Sequence, residues 1–197
     1  MLNIVYLDTI DSTNNWCQSH ADKLPVAVVA AEQTAGRGRY GRSFYSPAGG
    51  AYMSYAYRAN YADDDVQFTT LATAAIVHQV LQSYCDDELS IKWVNDIYLG
   101  SRKIAGILCE RVDDADGYYI VIGVGVNVTP CDTPDELKDI VGYLCDDSSL
   151  DPVQLAGELA TALGEVFAEH SSDISDLSEY IDYYKAHCHN LPDDIDI

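Results

Sequence analysis

The chain has 197 residues, 48% of them hydrophobic, and sets 32 acidic against 11 basic residues for a formal charge of −21. That length supports one substantial core, while the charge repels nucleic acid and anionic lipid and argues against either as a partner. No stretch approaches the roughly 20 uncharged apolar residues of a membrane helix, and MLNIVYLDTI has no basic segment leading into a cleavable apolar one, so a cytoplasmic protein is expected.

In chain order, residues 3–8 (NIVYLD) and 25–31 (PVAVVAA) read as short strands, with a helix between them opened by Asp11, Ser12 or Thr13 as N-cap. A Gly-rich loop spans 36–50. Residues 51–58 place Ala51, Met53, Tyr55 and Tyr57 on one face and predict a half-buried strand. After the acidic run Asp63-Asp64-Asp65, apolar residues at Phe68, Leu71, Ala72, Ala75, Ile76 and Val80 predict an amphipathic helix from Phe68 to Tyr84. SIKWVNDIYL, KIAGILCERV and YYIVIGVGVNV then read as three strands of an antiparallel meander, joined at Gly100-Ser101 and at the turn Asp113 to Gly117. Past Val128 the pattern turns helical, with stripes at Leu155, Leu159, Ala162, Val166 and at Leu177, Tyr180, Ile181, Tyr184. The expected fold class is α+β, a mixed, mostly antiparallel sheet flanked by helices.

Cys17, Cys85, Cys109, Cys131, Cys145 and Cys188 form no C-x-x-C pair, so buried reduced thiols are expected rather than disulfides or a zinc knuckle. Three adjacent residues cannot all face one ion from regular backbone, so His187-Cys188-His189 is assigned no metal.

The scarce basic residues are concentrated. Arg37, Arg39 and Arg42 fall in one Gly-containing stretch, and Lys92, Arg102 and Lys103 in a second. Positive charge gathered this way in so acidic a chain suits an anionic small ligand such as a nucleotide. In AEQTAGRGRYGR (31–42) the glycines admit close backbone approach, and the arginines offer bidentate donors to phosphate or carboxylate. The same composition also describes a solvated loop. It is neither a Walker A sequence nor a dinucleotide G-x-G-x-x-G opening a helix, which argues against nucleotide kinases and dehydrogenases.

The loop closely resembles the GRGRxGR signature of biotin–protein ligases. The resemblance continues through Asp11-Ser12-Thr13-Asn14, Lys92-Trp93-Val94-Asn95-Asp96, Arg102-Lys103-Ile104-Ala105-Gly106-Ile107-Leu108 and Gly123-Val124-Gly125-Val126-Asn127, ordered blocks covering about residues 8 to 128. It implies the biotin–lipoate ligase catalytic fold, related to class II aminoacyl-tRNA synthetases. It further implies an enzyme that activates biotin with ATP and Mg²⁺ and transfers it to a lysine of a biotin-carboxyl-carrier domain.

By the same resemblance, Ser12, Thr13, Asn14 and Gln33 bind the biotin ring, with Gly106, Gly123 and Gly125 lining its pocket. Ser12 or Thr13 suits a helix N-cap as well. Arg37, Gly38, Arg39 and Arg42, with Lys92, Asn95, Lys103 and Asn127, are implied to hold ATP and the adenylate. Lys103, Arg39 and Asp96 are the implied catalytic residues: Lys103 neutralises the reacting carboxylate, and Asp96 assists Mg²⁺ and the incoming amine. Many family members have Pro where Val94 stands; Trp93 reads as core rather than as a nucleotide stack.

Residues 1–186 are expected to form the catalytic domain and 187–197 a tail. An N-terminal DNA-binding domain and a C-terminal SH3-like barrel, both found in relatives, are not expected here. The alternatives are a lipoate- or octanoate-ligase-type enzyme, whose first motif differs, and a biotin-binding protein impaired in transfer. Either a monomer or a homodimer is compatible with the sequence.

Overall fold

A computed structural model describes residues 2–62, 66–146, 149–169 and 177–192; the run Asp63–Asp65 and the end of the chain from residue 193 lie outside the described residues. Seven strands make one sheet: β1 (Asn3–Ile10), β2 (Val26–Gln33), β3 (Gly50–Arg58), β4 (Leu89–Lys92), β5 (Asp96–Leu99), β6 (Arg102–Asp114) and β7 (Gly117–Asn127). Their order is β1-β2-β3-β7-β6-β5-β4. Only β1 and β2 pair in parallel, across the helical crossover between them; the other pairs are antiparallel. The mixed, mostly antiparallel sheet therefore stands.

Four helices are described: α1 (Thr13–Ser19), α2 (Val66–Gln82), α3 (Pro152–Glu169) and α4 (Ser178–His187). One sheet face carries Met53, Tyr55, Ile97, Ala105, Ile107, Ile122 and Val124 into the main core, which they share with Leu71, Ala75, Leu159, Phe167 and Tyr184 of the helices. The other face carries Val26, Val28, Ala56 and Val121 against Cys17 of α1.

The structure corrects several expectations. β3 is buried on both sides rather than half-buried, because α1 covers the face opposite Met53 and Tyr55. SIKWVNDIYL is not one strand but the hairpin β4–β5, in which Lys92 faces Asp96 across a turn at 93–95. Residues 129–151 hold only a short 3₁₀ turn (Asp135–Leu137) among the described residues, because the helical pattern begins at Pro152. Of the six cysteines only Cys17 is buried as a whole residue, although burial also pushes the Cys109 thiol up. Trp93 packs against Tyr184 in the main core. Cys188 bridges in parallel to Ile91 of the edge strand β4, so the segment after α4 follows the sheet.

Candidate functional site

Strand register sets the floor of the site. Residues two apart on a strand project to the same side, so Tyr52, Ser54 and Ala56 of β3, Val121, Gly123 and Gly125 of β7, and Gly106, Leu108 and Glu110 of β6 all face α1. Gly125 is the partner of both Tyr52 and Gly106, Gly123 of both Ser54 and Leu108, and Asp96 faces Gly106 from β5. Where the row reaches glycines the sheet has no side chains, which leaves room above it. A Cβ on Gly125 would come within 2.6 Å of the Phe44 ring, and one on Gly123 would overlap the Asn14 amide. These glycines are required by close approach.

Above this floor lies a cleft of about 180 Å³. The expected residues Ser12, Thr13, Asn14, Gln33, Arg37, Gly38, Arg39, Arg42, Asn95, Asp96, Lys103, Gly106, Gly123 and Gly125 all line it. At one end the β1–α1 junction delivers Ser12, Thr13 and Asn14. Ser12 takes the N-cap position of α1 but makes no side-chain cap hydrogen bond, so its hydroxyl is not used for capping. Thr13 donates through N–H (2.8 Å) and Oγ1 (3.0 Å) to Gln33 Oε1, and Gln33 Nε2 donates to Ser46 Oγ at 3.0 Å. Ser54 Oγ lies 2.8 Å from Thr13 Oγ1 and 2.6 Å from Asn14 Oδ1. Buried polar groups are costly unless paired, and this network pairs them before any ligand arrives.

At the other end the loop is folded on itself. Gly38 N–H donates to Arg42 O (2.7 Å), and Phe44 N–H to Gly36 O (2.9 Å). Tyr40 sits at its tip with φ 57°, a left-handed conformation that strains a residue bearing a Cβ. Arg37 makes a two-pronged contact with Glu110 (2.7 and 3.1 Å). Arg39 donates to Asn95 Oδ1 at 2.9 Å and lies over the Tyr40 ring. Asn95 Nδ2 donates in turn to Ile107 O at 2.6 Å, tying the arginine to β6.

Between the two ends, Lys103 Nζ is 2.7 Å from Asp96 Oδ1. This is an ion pair at contact distance without the alignment of a directed hydrogen bond, so that oxygen retains acceptor capacity. Strict alternation would send Lys103 to the same face as Ala105, away from the cleft. The β5–β6 register slips between Ile97 and Tyr98, however: Ile97 pairs with Ala105 but Tyr98 with Lys103. The irregularity re-aims the lysine to the Gly106 side, where a Cβ on Gly106 would lie 3.1 Å from Nζ.

A second cavity of about 140 Å³ adjoins the first and shares Ser43, Phe44 and Lys103 with it. Asn127 lines this one, with Tyr52, Thr129, Cys131, Ile140, Val141 and Tyr143. Burial pushes the Tyr52 and Tyr143 phenols up, so among its lining residues Lys103 is the charged one. Lys92 lines neither cavity, contrary to expectation. It lies two strands from the glycine floor, its ammonium 3.3 Å from Tyr98 Oη and over that ring. Arg102 also turns away, toward Lys138 O and Asp139. The sequence reading missed Ser54, Ser46, Phe44 and Glu110. Glu110 had a signal available, since it lies an even number of residues from Gly106 along β6, whereas the alignment of Ser54 with Gly123 depends on strand pairing.

A family model described as the biotin/lipoate A/B protein ligase family matches residues 6–127. The chain belongs to the biotin/lipoate A/B protein ligase family. Among curated members, the bifunctional ligase/repressor BirA of Bacillus subtilis is 37% identical over 149 residues, 72% of this chain and 46% of that protein; the chain thus spans about half the length of this ligase-family relative. Among solved structures, the biotin protein ligase of Aquifex aeolicus in complex with biotin and ATP superimposes with a TM-score of 0.77 at 25% identity, covering 96% of this chain and 79% of that one. The Leishmania major biotin protein ligase in complex with biotinyl-5-AMP gives 0.73 at 25% identity, with 98% and 87% covered.

Proposed function

We propose that this chain is a biotin–protein ligase: biotin and ATP give biotinyl-5′-AMP and pyrophosphate, and the biotinyl group then passes to a lysine of a biotin-carboxyl-carrier domain. The observation that carries this reading is the convergence of a neutral, hydrogen-bonding end and an arginine-bearing end on one lysine, in a chain that superimposes on the Aquifex aeolicus biotin protein ligase in complex with biotin and ATP. A ureido ring offers donors and an acceptor, and the hydroxyls and amides of Ser12, Thr13, Asn14 and Gln33 complement it. Biotin's carboxylate would then point along the floor toward Lys103. The second cavity, apolar and bounded by Asn127, would take the nucleoside.

In the first step a carboxylate oxygen attacks the α-phosphorus and pyrophosphate leaves. Lys103 neutralises the carboxylate and then the charge building on the transferring group, a gain larger in the transition state than in the ground state. Arg39 and Arg42 hold phosphate oxygens through forked donors, while Arg37, whose fork is taken by Glu110, anchors the loop and adds its charge to the phosphate end. Mg²⁺ prefers phosphate oxygens, water and one or two carboxylates to an all-protein cage. A single cleft-lining carboxylate, Asp96, fits that habit, and the ion would supply charge neutralisation on the triphosphate.

In the second step the acceptor lysine must lose a proton before it attacks the mixed anhydride. Asp96, beside the reacting carbon's expected position, orients that amine and accepts the proton, and AMP departs. The test is ATP-driven labelling of a biotin-carboxyl-carrier domain by the 197-residue chain, with pyrophosphate followed in parallel. Labelling supports a complete ligase. Pyrophosphate without labelling would confine the chain to adenylation, and neither signal would refute the reading.

A further inference from the structure

Glu110 has no place in the motifs read above, yet it is the most heavily engaged carboxylate near the cleft. It projects from β6 on the same face as Gly106 and Leu108. Its Oε2 accepts from Asn14 Nδ2 at 2.8 Å, Gln18 Nε2 at 3.2 Å and Arg37 Nη1 at 3.1 Å, while Oε1 accepts from Arg37 Nη2 at 2.7 Å. The carboxyl side chain is 20% exposed and the guanidinium 39%. One carboxylate therefore touches both parts of the cleft: the amide that faces the ring end, and the arginine near the start of the 36–44 loop.

We infer that Glu110 is a positioning residue that couples ring recognition to closure of the 36–44 loop. Asn14 is held in one orientation from two sides: its Nδ2 bonds Glu110 and its Oδ1 bonds Ser54. A ligand that contacts this amide steadies the carboxylate to which it is bonded. A steadied carboxylate presents both oxygens to the fork of Arg37, and the loop that Arg37 opens is held over the cleft. Without the charge the link through the Asn14 amide to Arg37 is cut; what remains is Arg37 Nη1 to Asn15 Oδ1 at 3.0 Å and the path from Gln33 through Ser46 Oγ to Phe44 O at the far end of the loop. Carboxylate-to-guanidinium forks combine charge with fixed geometry, which suits a contact that must both hold and register.

The inference rests on the reading of the cleft as a biotin–adenylate site, and its test separates the two. Trypsin needs an extended segment at the bond it cuts, so cleavage after Arg39 and Arg42, read by mass spectrometry, quickens as the loop unfolds from its hydrogen bonds and reports closure without any turnover. In the wild-type chain saturating biotin should slow cleavage. In Glu110→Gln the ligand-free rate should rise roughly two- to fivefold, the upper range for loss of a partly exposed ion pair. Biotin, still bound by calorimetry, should slow cleavage markedly less in this variant, because only the path from Gln33 through Ser46 to Phe44 then joins the ring-binding side chains to the loop. Equal protection by biotin in both proteins would overturn the coupling. If Glu110→Gln does not fold, Arg37→Gln, on the exposed loop, carries the same expectation, and wild-type-like protection in it overturns the proposal. If the wild type binds no biotin, the functional reading fails; the latch is then upheld by faster ligand-free cleavage in the variant and refuted by unchanged cleavage.

Discussion

At the α1 end of the cleft Thr13, Asn14 and Ser54 are 3%, 4% and 0% exposed and bond to one another. At the loop end the Arg37 side chain is 39% and Tyr40 85% exposed, held by ion pairs and a folded loop tip. The first end bears its ordering cost in the folded chain and is pre-organised; the second is ordered by contacts that water and salt weaken. In the proposed reaction the site chooses one neutral ring, then retains a reactive anhydride and finally releases it, which calls for both kinds of construction. Lys103 and Asp96 lie where they meet.

The largest effect should come from that meeting point. Lys103→Ala is expected to slow pyrophosphate release by about 3 kcal/mol of barrier, on the order of a hundredfold, as for loss of one charge-stabilising donor. Its melting temperature should change little, and wild-type turnover would end the assignment. Next, Gly123→Ala should weaken biotin binding in calorimetry by about 1–3 kcal/mol, because the added methyl displaces the Asn14 amide. Unaltered affinity would show that the amide does not read the ring.

Ser54→Ala removes a hydroxyl shared by Thr13 and Asn14. It should lower stability by about 1–2 kcal/mol in urea unfolding, with a smaller loss of affinity; stability equal to wild type would mean that the network is not needed to pre-organise this end. Arg39→Ala should spare biotin binding while biotinyl-AMP escapes several-fold faster, seen as labelling of bystander lysines. A tightly held intermediate would contradict retention by the loop. The smallest effect is of salt: from about 0.01 M to about 1 M the screening length falls from roughly 30 Å to 3 Å. Tryptic cutting of the loop should then quicken while biotin affinity holds. The melting temperature should rise as the repulsion within a −21 chain is screened.

Much of the site was legible because glycine and arginine announce themselves. GRGRYGR, the paired glycines of GVGVN and Lys103 all reach the cleft or its edge. The resemblance assigns Lys92 to the nucleotide, and its segment, SIKWVNDIYL, reads as one strand. What divides it is the turn at 93–95, and the resulting hairpin leaves Lys92 against Tyr98, two strands from the floor. The half-buried reading of β3 failed for a related reason, since alternation reveals two faces without revealing what covers the second.

The sequence by itself determined most of the strands and helices, through local periodicity, and the concentration of arginine and glycine in short segments; the resemblance of its ordered motifs pointed to the family and to most of the polar cleft residues. Only the tertiary structure decided which face each residue serves. The register row that aligns Ser54, Gly123 and Leu108, the slip that turns Lys103 toward Asp96, and the meeting of Glu110 with Arg37 across 73 positions of chain all depend on how separate strands pair. Pairing register is fixed by packing of whole faces, and a shift of one residue there reverses every side chain.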